Sequence, residues 1–171
     1  MRVLGVDPGT RFTGYGLVEE SGDRLQCLGM GVIAPSARFS LPEKLKCIYD
    51  RLTELILEFS PGVLVVENTF LSKNIQVAFK LGQARGVALL VGALGGLQVA
   101  EYSPLQIKNA VTGYGRAEKA QVSFMVTRLL GLAAPPETDH AADALAAAIC
   151  HYNSSRLESL QNRISENAAR R

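Results

Sequence analysis

Cysteine, long apolar runs and, through the middle of the chain, acid are scarce in this 171-residue sequence. Cys27, Cys47 and Cys150 are odd in number, far apart and set among apolar neighbours. That excludes a disulfide framework and a zinc site, and predicts buried, reduced thiols in a reducing compartment, the cytoplasm. The N-terminal apolar run is cut short at Asp7, which excludes a signal-peptide pattern. Val87 to Val99 is glycine-rich and too short to cross a bilayer, so no membrane is expected. No repeat, linker or low-complexity tract divides the chain. Residues 1–153 are therefore expected as one domain, followed by a tail, 154–171, that is loosely helical or disordered. Between Asn68 and Ala117 the only acid is Glu101, against Lys73, Lys80, Arg85, Lys108 and Arg116. A basic half-face of that kind suits a polyanionic partner, although chance clustering on a solvated surface would read the same way.

What the sequence does hold starts at its first residues. Val3-Leu4-Gly5-Val6 is uncharged and reads as a buried strand, with Asp7 its last residue before Pro8-Gly9. Burying a carboxylate is costly unless it is paired or metal-bound, yet Asp also caps such turns; this stretch alone leaves both readings open. Phe12–Val18 and Leu25–Ile33 are joined by a polar turn at Gly22, so residues 2–34 are predicted as a three-strand antiparallel meander. Its several glycines would admit another backbone or a ligand. Leu41 to Glu58 is predicted helical, with Pro42 in the first turn and Leu41, Leu45, Ile48, Leu52, Leu55 and Ile56 on one face. After Ser60-Pro61-Gly62, the run Val63–Val66 repeats the opening pattern and ends in Glu67. Strand, helix, strand implies a right-handed crossover and a parallel pair, so as neighbours Asp7 and Glu67 leave the sheet at one carboxyl edge.

Ser72 to Leu94 is predicted as a long helix whose polar stripe is narrow: Lys73, Gln76, Lys80 and Gln83. Such a helix buries more than one face. One face covers the sheet; the other meets a second copy in a symmetric homodimer, or lies beneath the C-terminal helices. Leu97–Ala100 is a fifth strand, Pro104 starts a short helix, Gly113–Arg116 is a loop, and Ala117–Leu130 is helical. After Pro135-Pro136 an alanine-rich helix runs from Thr138 to about Tyr152. The fold class is α/β.

On that last helix His140 and Asp143 are three apart and share a face. The alanines around them let the helix sit close to the sheet, so Asp7, Glu67, His140 and Asp143 can meet at one edge. Clustered carboxylates need a cation. Oxygen ligands without cysteine point to Mg²⁺ or Mn²⁺, and the histidine admits Mn²⁺ more readily. Two such ions roughly 3.5–4 Å apart serve in-line phosphodiester hydrolysis. Asp139 reads as a first-turn residue favoured by the helix dipole.

In order along the chain, Gly5–Thr10 with Thr13–Gly16, Val66–Phe70, Lys80–Gly86, Ala117–Val122 and His140–Ala146 resemble the RuvC family of bacterial Holliday-junction resolvases, within the RNase H-like superfamily. The likeness runs from the first residue to about Tyr152. It implies an RNase H-like fold: a five-stranded mixed sheet, three strands as an antiparallel meander plus two parallel ones, flanked by helices. It implies a homodimeric, structure-selective endonuclease that nicks opposed strands of a four-way DNA junction in recombination and repair, leaving 5′-phosphate and 3′-hydroxyl ends. The family's catalytic metal positions fall on Asp7, Glu67, His140 and Asp143, with two Mg²⁺ per subunit, Mn²⁺ able to substitute, and the branch-migration complex RuvAB as partner. Many members carry Asp where this chain has His140; with His the site has one fewer negative charge, and the residue either ligates a metal or shuttles a proton. Phe70 falls on the family's base-stacking position, though by itself it reads as packing the start of the long helix. Lys80, Arg85, Lys108, Arg116 and Lys119 fall in or beside matching motifs as phosphate contacts, and Arg11, beside the Asp7 turn, is a further candidate. Two rivals are an RNase H-like nuclease acting on RNA or another nucleic acid, and a single-lobe ATP-binding protein of the actin/sugar-kinase type. The second lacks its second lobe and second phosphate loop here.

Overall fold

The computed structural model describes residues 1–22, 24–68 and 75–169, the side chains of 166–169 excepted. Phe70, Lys73 and the expected helix start at Ser72 lie outside the described residues. Five strands form one sheet in the order β3-β2-β1-β4-β5. They are β1 (Arg2–Asp7), β2 (Thr13–Ser21), β3 (Arg24–Ile33), β4 (Val63–Glu67) and β5 (Gln98–Tyr102). β1, β2 and β3 pair antiparallel, whereas β4 runs parallel to β1 and β5 parallel to β4. This is the mixed sheet that the sequence implies. β1 stops at Asp7 because Pro8 has no N–H to add to the ladder.

Strand alternation divides the apolar residues into two cores. Val3, Val18, Val63 and Val65 are buried on one face, against α3 (Pro104–Thr112), α4 (Lys119–Leu129) and α5 (Asp139–Ala169). Leu4, Val6, Leu17, Leu64 and Val66 are buried on the other, against α1 (Leu41–Phe59) and α2 (Ile75–Leu94). Counting on by two from Val3 and Val63 puts Asp7 and Glu67 on the α5 side of the sheet. Local signals start the helices where expected. Ser40 and Glu43 form a capping box ahead of α1, with Pro42 in the first turn, and Ser103 and Gln106 do the same for α3.

The glycines of the meander are filled by helix backbone. A Cβ on Gly5 would lie 2.0 Å from the Ala144 carbonyl oxygen, and one on Gly14 would lie 2.0 Å from that of His140. One on Gly16 would strike Leu145 at 2.7 Å. Gly5 pairs with Gly16, and Asp7 with Gly14, so these glycines form one bare patch beside the end of β1. Ala141, Ala144 and Ala148 of α5 are buried over it. Small residues on both partners bring the helix close enough for its first turn to reach Asp7.

Three expectations are revised. α5 does not end near Tyr152 but continues unbroken to Ala169; what changes after Asn153 is burial, with Leu157, Leu160 and Ile164 exposed. Only Cys150 is buried, while Cys27 and Cys47 are half-buried, and all three are free thiols. Burial pushes the Cys150 thiol up to about 11, which leaves it inert. Finally, α2 is not covered by the C-terminal helices, because those occupy the opposite face of the sheet. By length and composition alone α2 is long and apolar enough to cross a membrane, as core helices also are. Its Ala84, Ala88, Val91 and Gly92 are instead buried in the core shared with α1 and β4, and Arg85 is ion-paired with Glu101 of β5.

The contact between glycine patch and helix is open to a direct test. Gly14→Ala forces α5 away from the sheet and is expected to destabilise the fold by more than about 2 kcal/mol in denaturant titrations. Gly62→Ala, where an added Cβ meets nothing within 4 Å, is expected to be neutral or to stabilise by up to about 1 kcal/mol.

Candidate active site

Three elements deliver the acids. Val6 of β1 lies beside Val66 of β4 in parallel register, so the next residues, Asp7 and Glu67, leave the sheet side by side. The first turn of α5 adds His140, and Asp143 follows one turn on. A pocket of about 350 Å³ is lined by all four, together with Lys108 of α3 and Lys119 of α4. Asp7 is held by the loop behind it. Thr13 is fully buried, its hydroxyl donating to the Gly9 carbonyl at 2.7 Å and accepting from the Gly9 N–H at 3.2 Å. Gly9 has no room for a side chain, since a Cβ would sit 2.4 Å from the Phe12 carbonyl oxygen.

The partners of these acids are specific. His140 Nδ1 lies 2.7 Å from Asp7 Oδ2. The Phe12 ring packs against the imidazole at 5.7 Å between centroids, and Arg11 in turn lies over Phe12 at 5.2 Å. Lys119 Nζ sits 3.5 Å from Asp143 Oδ2 and 3.4 Å from Asp139 Oδ2. Of the other candidate phosphate contacts, Lys108 lines the pocket, Lys80 lines a neighbouring cleft, and Arg116 is exposed on the α3–α4 connection. Arg85 lies away from the pocket, paired with Glu101. Thr13 and Phe12 are the residues whose roles the sequence does not single out; a threonine four positions after a turn glycine is the only signal for the first.

Burial raises Asp7 above the ordinary carboxylate range; the His140 contact draws it back without cancelling the rise, and Asp143 adds to it. Burial likewise raises Asp143, against the pull of Lys119. For Lys119 burial opposes the charge, but Asp143 and Asp139 outweigh it and leave the ammonium raised. The acids thus lack enough positive charge around them. Three carboxylates and an imidazole, with no thiolate, are a donor set for a hard divalent cation, and the uncompensated acidity fits one. Among the described residues no three His, Cys, Asp or Glu side chains stand close enough as they are to encircle an ion. His140 and Lys119 engage the acid oxygens that a cation would take.

A raised acid stabilises the fold fully only below its unfolded pKa, near 3.8 for Asp, and that contribution is lost as pH rises through the folded value. At neutral pH ionised Asp7 therefore costs stability. Asp7→Asn is expected to raise the melting temperature at pH 7 in chelator by a few degrees, on the order of 2–4 °C per kcal/mol. It is also expected to remove most of the upward shift expected for the unaltered protein when a divalent cation is added. Scanning calorimetry with and without the ion checks both.

Known proteins carry the same arrangement of sequence. The family profile described as "Crossover junction endodeoxyribonuclease RuvC" matches residues 3–151. A protein of that name from Pelobacter propionicus is 51% identical over 157 residues, covering 92% of this chain and 89% of its own. Another, from Syntrophomonas wolfei, is 47% identical over 159 residues, covering 93% and 92%. The structure described as "T. thermophilus RuvC in complex with Holliday junction substrate" superposes with a TM-score of 0.88 at 34% identity, covering 92% of this chain and 96% of that one. On profile, sequence and fold together, the chain belongs to the RuvC family of crossover junction endodeoxyribonucleases.

Proposed function

We propose that this chain is a structure-selective endonuclease that resolves four-way DNA junctions during recombination and repair, leaving 5′-phosphate and 3′-hydroxyl ends. One observation carries the reading: Asp7, Glu67, His140 and Asp143 line a single pocket with Lys108 and Lys119. Family membership supports it, and a relative from T. thermophilus is seen with a Holliday junction. Divalent cations held by Asp7, Glu67, His140 and Asp143, two Mg²⁺ per subunit with Mn²⁺ able to substitute, would supply Lewis acidity at the scissile phosphate.

The chain's own residues prepare the rest. Asp7 is fixed by the β1 ladder and the Gly9–Thr13 hydrogen bonds, so little reorganisation is needed when substrate arrives. With Asp7 ionised, the hydrogen bond takes its proton from His140 Nδ1, so Nε2 is the ring nitrogen that remains for a cation or for a proton in transit. Lys108 and Lys119 bring positive charge to the wall where phosphate charge builds up. The side chain of Lys119 is 62% exposed, free enough to exchange Asp143 for a phosphate.

The same reading gives the second copy of a homodimer the outer face of α2, where Ile75, Phe79, Leu90 and Leu94 are exposed. It takes residues 1–153 as the nuclease domain and 154–171 as an appendage, a division supported by the loss of burial along α5 after Asn153. The cytoplasm as location and RuvAB as a partner belong to it as well.

Asp7→Asn is expected to bind a four-way junction like the unaltered protein and to cleave it slower by on the order of 10³-fold or more, in single-turnover assays with Mg²⁺. Cleavage that survives the change would remove the metal-site reading. Gel filtration should give the dimer mass, shifting to the monomer for Phe79→Glu; a monomer for the unaltered chain would remove the dimer.

A further inference from the structure

Among the described residues only two polar side chains are buried, Thr13 and His151. Thr13 locks the loop behind Asp7. His151 does not line the pocket; it lies on α5 a little over two turns past Asp143. Its Nδ1 stands 3.0 Å from the hydroxyl of Tyr102, the last residue of β5, and the two rings pack with centroids 6.0 Å apart. Burial lowers His151 below the ordinary histidine range and raises Tyr102, so both are neutral at pH 7. What Tyr102 supports is the end of β4. β1 pairs with β4 only as far as Val66, so the strand partner of Glu67 is Tyr102. The Tyr102 carbonyl accepts the Asn68 N–H at 2.8 Å, immediately past Glu67. On the other side of Tyr102, Ser103 caps α3, the helix that brings Lys108 to the pocket. β5 is an edge strand of five residues held by one ladder, and such ends fray unless something ties them.

We infer that Tyr102 and His151 are positioning residues for Glu67. Through their contact α5, which carries His140 and Asp143, also fixes the end of the strand that carries Glu67, and so sets the spacing between acids on separate elements. Stability alone does not call for the pair, because two apolar side chains of the same shape would fill the space at little or no cost. A satisfied hydrogen bond adds what apolar packing lacks, a fixed distance and direction. The end of β1 is already tied to α5 through Asp7 and His140. Tyr102 and His151 supply the equivalent tie for β4, by way of its neighbour β5. The inference rests on the nuclease reading and adds to it two residues outside the pocket.

The test is Mn²⁺ binding to the protein without DNA, followed by the paramagnetic resonance of the free ion, alongside junction binding in chelator. Tyr102→Phe removes only the hydroxyl and is expected to bind Mn²⁺ roughly tenfold more weakly, with junction affinity within about twofold of the unaltered chain. His151→Leu should match it, whereas His151→Asn, which keeps a polar atom near the place of Nδ1, should recover most of the loss. In a Glu67→Gln background Tyr102→Phe should make no further difference. Asn153→Ala breaks another hydrogen bond of α5, to the Ala110 carbonyl at 2.9 Å, and should leave Mn²⁺ affinity unchanged. Undiminished affinity in Tyr102→Phe and His151→Leu, a loss that persists in the Glu67→Gln background, or an equal loss in Asn153→Ala would overturn the assignment. His151→Leu carries the comparison should Tyr102→Phe fold poorly by circular dichroism. An unaltered chain that binds no Mn²⁺ and leaves the junction uncut would instead overturn the nuclease reading itself.

Discussion

The close approach of α5 to the sheet is the constraint on which the rest of the molecule depends. Side chains normally hold the backbones of packed elements apart. Here Gly5, Gly14 and Gly16 strip the sheet bare, and the alanines of α5 leave its backbone almost in contact with it. Only that separation lets His140 touch Asp7, an acid that lies at the far end of the chain in sequence and on the central strand in space. The loop lock at Gly9 and Thr13 does the complementary task of keeping Asp7 still. Rigid backbone on both sides, with no long flexible side chain between, is what a preorganised site requires.

The electrostatics pull the other way. Burial raises Asp7 and Asp143, and His140 and Lys119 only partly compensate. The fold therefore carries local instability at the place where its packing is tightest. Such a conflict between stability and local chemistry is the mark of a site maintained for function. In the neighbouring cleft, Arg11, Lys44 and Lys80 have no ion-pair partner among the described residues, and Lys44 stands near the positive end of α1.

Much of this was legible in the sequence for physical reasons. A buried strand cannot easily end in a carboxylate without a use for it, so Asp7 and Glu67 stood out, and the parallel crossover put them side by side. The alanines flanking His140 and Asp143 signalled close packing. Other features depend on contacts that no periodicity encodes. Arg85 counted as one of five bases in a stretch with one acid, yet it is paired with that acid, Glu101, across two elements. Past Asn153 the sequence leaves a loose helix or disorder open, because Leu157, Leu160 and Ile164 recur at helical spacing with nothing to pack on; α5 continues there with all three exposed.

The alternation that divides the two cores also limits how the gene can vary. Val3, Gly5 and Asp7 face α5 while Leu4 and Val6 face α1 and α2, and β4 repeats the pattern beside it. Inserting or deleting one residue within either strand would turn the acid to the opposite face and drive a leucine or valine into the glycine patch. Length changes are therefore confined to the connections, while the two short strands, only six and five residues long, behave as indivisible units of inheritance.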